Sequence, residues 1–490
     1  MSDNEKFVER KPNRFHPDFK RVIIRFYNID IERSEAVIRK VIEMDEMETE
    51  LTLTQVLREF AWRHRNITRK FLEHFEKVKE LLDKTSINFK NISQEKKLLI
   101  GSYFSMEFSI EAAAFFNPSI VEAPDQTGLE KGSKRIIVSF RATGEGHVSS
   151  VVFHTGIIDH SGNMEFSEKT RYIDEPEIIY RHHYDKDTFI SKLREMKVNK
   201  DIIDLVFKPL GKNFIFGELQ KSVNEVLEQN NFQKNIKRSI KEIIWLADSH
   251  YEITFSRDTV ISERVIFPVS FSELKGIEDT RFVRFIDDDG LVIYYATYTA
   301  FDGYTILPKL ILTRDFYHFE IKPLHGKGAQ NKNLALFPRK INGKYVMLSR
   351  IDGINSFIDF SDNINIWNNP VKIKEPRFPW EYIQIGNCGS PIETSEGWLV
   401  INHGVGPVRK YCLGASLLDL NDPAKEIGRL KEPLLMPNAD EREGYVPNVV
   451  YSCGSLVHND KLIIPYGLSD TSSGFVSVDM DELIKRIKMD

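Results

Sequence analysis

The sequence predicts a mainly β protein: a five-bladed β-propeller that carries an N-terminal helical extension and a helical insertion. Three observations point there. From residue 251 onward the chain is nearly all short apolar alternations broken by turns, the period of half-buried strands. Within that stretch an apolar strand runs into an acidic turn five times, at Ser256-Arg257-Asp258, Thr313-Arg314-Asp315, Ser361-Asp362, Leu418-Asp419 and Val478-Asp479. The acids lie 57, 47, 57 and 60 residues apart, and a period of about 50 residues with about four strands is that of a propeller blade. Two other stretches carry a helical period instead. One four-stranded sheet cannot cover its own faces, so blades stack around an axis. A two-sheet sandwich is the alternative; the even spacing favours the propeller.

Residues 1–116 form the helical extension. A short strand, Val22-Ile23-Ile24-Arg25-Phe26, precedes it. Val37, Ile38, Val41 and Ile42 then share one face, and Leu57, Phe60, Phe71 and Phe75 another. Thr52 or Thr54 is the expected cap of the second helix, His64 and His74 its solvated face, and Ser93 the start of a third. Residues 117–480 are the propeller, beginning at Asn117-Pro118-Ser119-Ile120. The strand Arg135-Ile136-Ile137-Val138-Ser139-Phe140 ends in a loop with Gly144 and Gly146. That loop fits neither GxxxxGK[ST] nor GxGxxG and no helix follows it, which argues against a nucleotide cradle. Residues 185–250 revert to helices, and 481–490 form a helical tail. Phe282 to Tyr298 reads as a hairpin turning at Asp287-Asp288-Asp289-Gly290.

Composition removes several function classes. With 490 residues, 41% of them hydrophobic, the chain has ample material for a large core. A net charge of -5 leaves no basic footprint for nucleic acid. Cys388, Cys412 and Cys453 form no CxxC pair and read as reduced thiols of a cytoplasmic protein. The polar start lacks a signal segment, and no apolar run approaches the roughly 20 residues of a membrane span. The histidines are scattered without ligand spacing, so no metal is expected. The helical regions suit homo-oligomerisation or shaping of a cleft.

The chemistry is expected around Gly276-Ile277-Glu278-Asp279-Thr280-Arg281. An acid at a strand mouth, held by a neighbouring arginine, suits proton transfer to a leaving group. Lys332, Arg350, Glu393, His403, Glu443 and Asp470 also fall at strand ends. Singly each is an ordinary surface or capping residue. Together they give every repeat a charged group at one place, which a structural sheet does not require.

Several stretches make the sequence resemble glycoside hydrolase family 130, the β-mannoside phosphorylases and β-1,2-mannosidases. They are 276–281, Leu336-Phe337-Pro338, 397–405, 414–420, Val446-Pro447-Asn448-Val449-Val450 and Tyr466-Gly467. The resemblance covers about residues 117–480 and implies a five-bladed propeller. It makes Asp279 the general acid, acting through a sugar hydroxyl, and Arg141 and Asp470 the holders of the mannosyl unit. Glu278, Arg281 and Asn448 fall among the substrate-binding positions. Lys332, Arg350 and His403 match or approximate the phosphate-binding positions, with Lys332 where arginine is usual.

Three departures are visible. Thr280 replaces a proline, Ser349 stands where histidine is common, and Glu393 stands where phosphorylases tend to have lysine. A carboxylate at a phosphate site repels the nucleophile, by about 1–4 kcal/mol at intermediate dielectric, whereas it suits a base for water. The expected activity is therefore inverting hydrolysis of β-mannosides in manno-oligosaccharides, with Asp279 as acid and Glu393 or Glu443 as base. Phosphorolysis to mannose 1-phosphate, with inorganic phosphate as co-substrate, is the close alternative. A non-catalytic sugar-binding propeller is the third. No cofactor is expected.

Overall fold

The computed structural model describes residues 7–83, 87–168, 170, 172–179, 183–229 and 234–489. It is mainly β, built from five antiparallel meanders with helices attached. The first meander is Ala114–Glu122, Lys134–Thr143 and Ser149–Ile158. The second is Gly276–Ile286, Val292–Phe301, Ile306–Thr313 and His318–Pro323. A parallel pair, Gly276 opposite Ser149, joins the two at one point. The third is Ala335–Leu336, Tyr345–Ser349, Ser356–Ser361 and Val371–Lys374. The fourth is Gln384–Asn387, Gly397–Val405, Tyr411–Leu418 and Glu426–Arg429. The fifth is Val450–Tyr451, Lys461–Leu468 and Ser472–Asp479, and its outer strand comes from the other end of the chain: Val8–Phe15, with Val8 opposite Val478.

Alternating apolar residues on both faces of each sheet let neighbours share cores. Phe153 and Ile137 of the first sheet pack with Phe282 and Tyr298 of the second. Phe285 and Tyr295 pack with Met347 of the third. Val346 and Ile358 pack with Trp398 and Val400 of the fourth. Leu399 and Leu417 pack with Ile464 and Val476 of the fifth. Phe475 and Ile463 return to Phe140 and Val138 of the first.

The acidic repeat has a local cause. Asp315 Oδ1 accepts the N–H groups of Tyr317 and His318, Asp419 Oδ1 those of Asn421 and Asp422, and Asp479 Oδ1 that of Glu482. Asp315 and Asp419 close the turn after the third strand of their sheets, and Asp479 caps the helix Met480–Met489 that follows its own, the short-range bonding for which aspartate is suited. Asp362 follows the third strand of the third sheet. The first mark, Asp258, does not belong to this set. The equivalent acid is Asp159, which follows Ser149–Ile158 and accepts the N–H groups of Ser161 and Asn163.

The helical extension differs from the expectation at its second helix. There are two, Glu46–Phe60 capped by Asp45 and Ile67–Leu81, separated where Asn66 takes φ 51°. Thr52 is interior, and His64 and His74 are buried, 2.7 Å from Glu107 and Ser105. Ser93 does cap Gln94–Tyr103. The insertion forms Lys186–Glu195, Lys200–Phe207, Phe216–Gln229 and Lys234–Asp248 around its own apolar cluster. The expected hairpin forms, with Gly290 at φ 81° in its turn. Among the described residues no helix is long and apolar enough to cross a membrane.

Candidate active site

Polar residues in the left-handed region lie within or just before the first strand of four of the sheets. Asn117, Asp279, Asn333 and Asn448 have φ of 48°, 55°, 67° and 63°. Asp279 occupies a bulge: the pairing of Gly276–Ile286 with its neighbour slips between Glu278 and Arg281. A bulge re-aims a side chain, and here it turns the carboxyl toward the adjacent sheets. Asn117 lies in a second bulge, between Phe116 and Ser119, and donates its amide to Asp279 Oδ1 at 2.7 Å.

The Asp279 carboxyl is ringed by donors. Arg141 Nη1 is 3.4 Å from Oδ1; Tyr451 donates its hydroxyl to Oδ2 at 3.2 Å; Arg281 Nη2 is 3.7 Å from Oδ2. Burial would raise the pKa, but Arg281, Arg141, Lys332 and the Asn117 amide outweigh it and hold the group at about 2. The group is thus a carboxylate at neutral pH. Glu278 bridges two cations, Arg141 Nη2 at 2.9 Å and Lys332 Nζ at 2.6 Å. Arg281 donates to the Asp279 carbonyl at 2.7 Å and to the Tyr451 hydroxyl at 2.6 Å, and Asn333 donates to that hydroxyl as well.

Beyond this ring lies an incomplete shell. Arg350 is buried, and its Nε and Nη1 have no hydrogen-bond partner among the described residues. Burial lowers its pKa, and Tyr451, Tyr411, Arg281 and Asp279 lie within electrostatic range of its charge. His403 is buried, its ring 4.8 Å from that of Tyr451 and stacked on Tyr411. Burial, then Arg350 and Arg281, keep it neutral, well below its ordinary pKa. Asp470 differs from Asp279 although the two lie within electrostatic range of each other. Burial, helped by the nearby Asp279 and opposed by Arg141, pushes its carboxyl up to about 6.

The two acids expected as bases are elsewhere. Glu393 pairs through both oxygens with Arg339, at 2.6 and 2.7 Å, on the short strand Ile392–Thr394. Glu443 is exposed. The buried acid of that segment is Glu441, which takes Arg10 and the Tyr466 hydroxyl and ties Val8–Phe15 to the fifth sheet. Asn448 accepts from Arg442 Nε at 2.8 Å. Asn117, Asn333 and Tyr451 contact the acid or its tyrosine without having been singled out in the sequence. The signal available was Asn117-Pro118 and asparagine just before a short apolar strand, common patterns in any turn. Among the described residues no three His, Cys, Asp or Glu side chains converge as a metal site. A cavity of about 730 Å³ between the strand Val22–Phe26 and the helix Ile67–Leu81 contains none of the candidate residues.

Comparison with known proteins gives a consistent picture. A family model described as beta-1,4-mannooligosaccharide phosphorylase matches residues 230–489. A 1,2-beta-oligomannan phosphorylase of Thermoanaerobacter sp. (strain X514) is 40% identical over 240 residues, covering 46% of this chain and 78% of that protein. A beta-1,2-mannobiose phosphorylase of Listeria innocua is 27% identical over 358 residues, covering 71% of this chain and 94% of that protein. The solved structure of the Listeria innocua beta-1,2-mannobiose phosphorylase with beta-1,2-mannobiose aligns at a TM-score of 0.46 and 23% identity, over 78% of this chain and 94% of that one. These curated relatives are named phosphorylases, which overturns the expectation of hydrolysis. That expectation rested on Glu393 beside the nucleophile, and the Arg339 pair explains the carboxylate as an ordinary surface ion pair.

Proposed function

The chain belongs to glycoside hydrolase family 130, a family of enzymes, and from that premise we propose that it is a β-mannoside phosphorylase. Inorganic phosphate attacks the anomeric carbon of a β-linked mannosyl unit in a manno-oligosaccharide. The bond from that carbon to the glycosidic oxygen breaks, a bond to a phosphate oxygen forms with inversion, and α-mannose 1-phosphate leaves. The glycosidic oxygen takes a proton from Asp279, relayed by a sugar hydroxyl. No base is needed, because the nucleophile is already an anion.

The observation that carries this reading is the Arg350 guanidinium, buried with two nitrogens unbonded beside Tyr451 and Arg281. A buried unpaired cation is costly, and a phosphate supplies the acceptors it lacks. Lys332 and His403 are the further phosphate contacts, the neutral imidazole as a hydrogen-bond donor. Arg141, Glu278, Arg281, Asn448 and Asp470 hold the sugar. Phosphate does a second thing. Its negative charge offsets the cations that keep Asp279 ionised, so binding raises the pKa of the acid toward a value at which it carries a proton.

The fold that accompanies this reading is a five-bladed propeller over 117–480, its last blade closed by Val8–Phe15. The cyclic order of shared cores, from the first sheet to the fifth and back, supports it. The remainder of 1–116 and the 185–250 insertion are additions to that ring. The enzyme needs no cofactor and works in the cytoplasm, where phosphate is available and its three buried cysteines stay reduced.

The test is product analysis on β-1,2- and β-1,4-mannobiose with and without inorganic phosphate. Mannose 1-phosphate is expected with phosphate alone, and Asp279→Asn is expected to cost on the order of 10³-fold in kcat/KM. Equal turnover without phosphate, or cleavage by the Asp279→Asn protein at the full rate, overturns the reading.

A further inference from the structure

Two hairpins of different sheets are built on the same turn. Residues 144–148 connect Lys134–Thr143 to Ser149–Ile158, and residues 406–410 connect Gly397–Val405 to Tyr411–Leu418. Each begins with an extended glycine, Gly144 at φ -97° and ψ -160° and Gly406 at φ -112° and ψ -160°. Gly144 donates its N–H to Val148 O at 2.9 Å, and Gly406 to Lys410 O at 3.0 Å. Each then places two successive residues in the left-handed region: Gly146 and His147 at φ 61° and 60°, Val408 and Arg409 at φ 57° and 53°.

The first hairpin has glycine at the left-handed position that follows. The second has valine, for which that conformation is an outlier, because both Cβ branches crowd the backbone. Val408 is 90% exposed, so no packing against the rest of the protein accounts for its being held there. The first hairpin reaches the Asp470 segment through Tyr445, and the second lies within electrostatic range of it. Arg409 is among the charges that act on its carboxyl. His147 stacks on Tyr445, centroids 5.5 Å apart at 28°, and the Tyr445 N–H bonds Thr471, the residue after Asp470. Tyr445 keeps 64% of its surface exposed. An apolar side chain in a strained backbone thus neighbours Arg409, and an aromatic face without cover, stacked on His147, neighbours Thr471, which ties both hairpins to the Asp470 segment.

We propose that these hairpins grip the leaving portion of the oligosaccharide, Val408 on one side and the His147–Tyr445 stack on the other. This rests on the phosphorylase reading and adds to it the residues that measure chain length. Sugar rings present C–H faces that pack on aliphatic and aromatic surfaces. The buried cations take phosphate and the mannosyl unit that is transferred, so the exposed rim is what remains for the chain running out to solvent. Strain at Val408 is tolerated because its contact is made in the bound state.

The experiment compares wild type, Val408→Gly and Tyr445→Ala on mannobiose, mannotriose and phosphate. Val408→Gly relieves the left-handed strain, so its Tm is expected to rise by about 1 °C. Its KM for mannotriose is expected to rise about fivefold, and that of Tyr445→Ala about tenfold, with the KM for phosphate unchanged in both. Val408→Asn, a residue that tolerates this backbone, gives the same result if the Gly variant folds poorly. Wild-type KM for mannotriose in all three variants overturns the inference and leaves phosphorolysis intact. Failure of wild type to form mannose 1-phosphate from any β-mannoside overturns both.

Discussion

Glu273 and Asp279 lie six positions apart and are both buried among cations, yet their surroundings are opposites. Glu273 Oε1 accepts from Lys309 at 2.6 Å, Tyr298 at 2.5 Å and Tyr251 at 3.1 Å; Oε2 accepts from Tyr251 and from the N–H groups of Val269 and Ser270. Both side chains of the Glu273–Lys309 pair have zero exposure. Burial opposes the charge, but Lys309 and Tyr298 hold the Glu273 carboxyl below its ordinary value. Around Asp279 the backbone is left-handed, and Asn117 Oδ1, Asn333 Oδ1, Asn387 Oδ1 and two Arg350 nitrogens are buried without partners among the described residues. A polar cluster that completes itself rigidifies the fold, and one left incomplete is finished by something that binds.

This contrast is sharpest under mutation. Lys309→Met strands a buried carboxylate and should destabilise the protein by about 3–5 kcal/mol in chemical denaturation, with the folded fraction still active. Arg350→Met should do the reverse: a phosphate KM higher by about 10- to 100-fold, the loss of a charged hydrogen bond or two, with Tm unchanged or raised. If Arg350→Met were as destabilising as Lys309→Met, the two clusters would be the same kind of object. The third effect concerns Asp470. Its carboxyl titrates near 6 when folded, mainly through burial, and at about 3.9 when unfolded. The folded state therefore holds the extra proton between about pH 4 and 6, and stability falls as pH rises through that window. Asp470→Asn should match wild type at pH 4 and exceed it by about 2–3 kcal/mol at pH 7, read from denaturation at the two pH values.

The sequence showed most clearly what short-range forces determine. The 282–298 hairpin was legible because alternation and an acidic turn with glycine are both local. The repeat was legible for the same reason, since Asp315, Asp419 and Asp479 each bond N–H groups two or three positions on. Asp258 was misread because an acidic turn after an outer strand, Tyr251–Thr254, looks like one after a third strand. Long-range partners were not legible. Nothing near Glu393 announces Arg339, 54 positions away, and nothing separates Glu443 from Glu441 without Arg10. The break at Asn66 was hidden because the apolar residues on either side keep a helical spacing. Tyr451 was passed over because its role lies in a hydroxyl shared by Arg281 and Asp279 of the second sheet and by Asn333, more than a hundred positions away in sequence.

The pairing of Val8 with Val478 has a consequence for how this molecule comes to exist. A ribosome releases the strand Val8–Phe15 long before its neighbour is made, so the early segment must wait, solvated, for most of synthesis. Loop closure over such a span costs only logarithmically more than over a short one, but contacts this distant in sequence form slowly. Until they do, the strand Ser472–Asp479 presents an open edge to other chains. The pairing that completes the fifth sheet is thus also its most exposed moment during assembly, and chaperones would find it there.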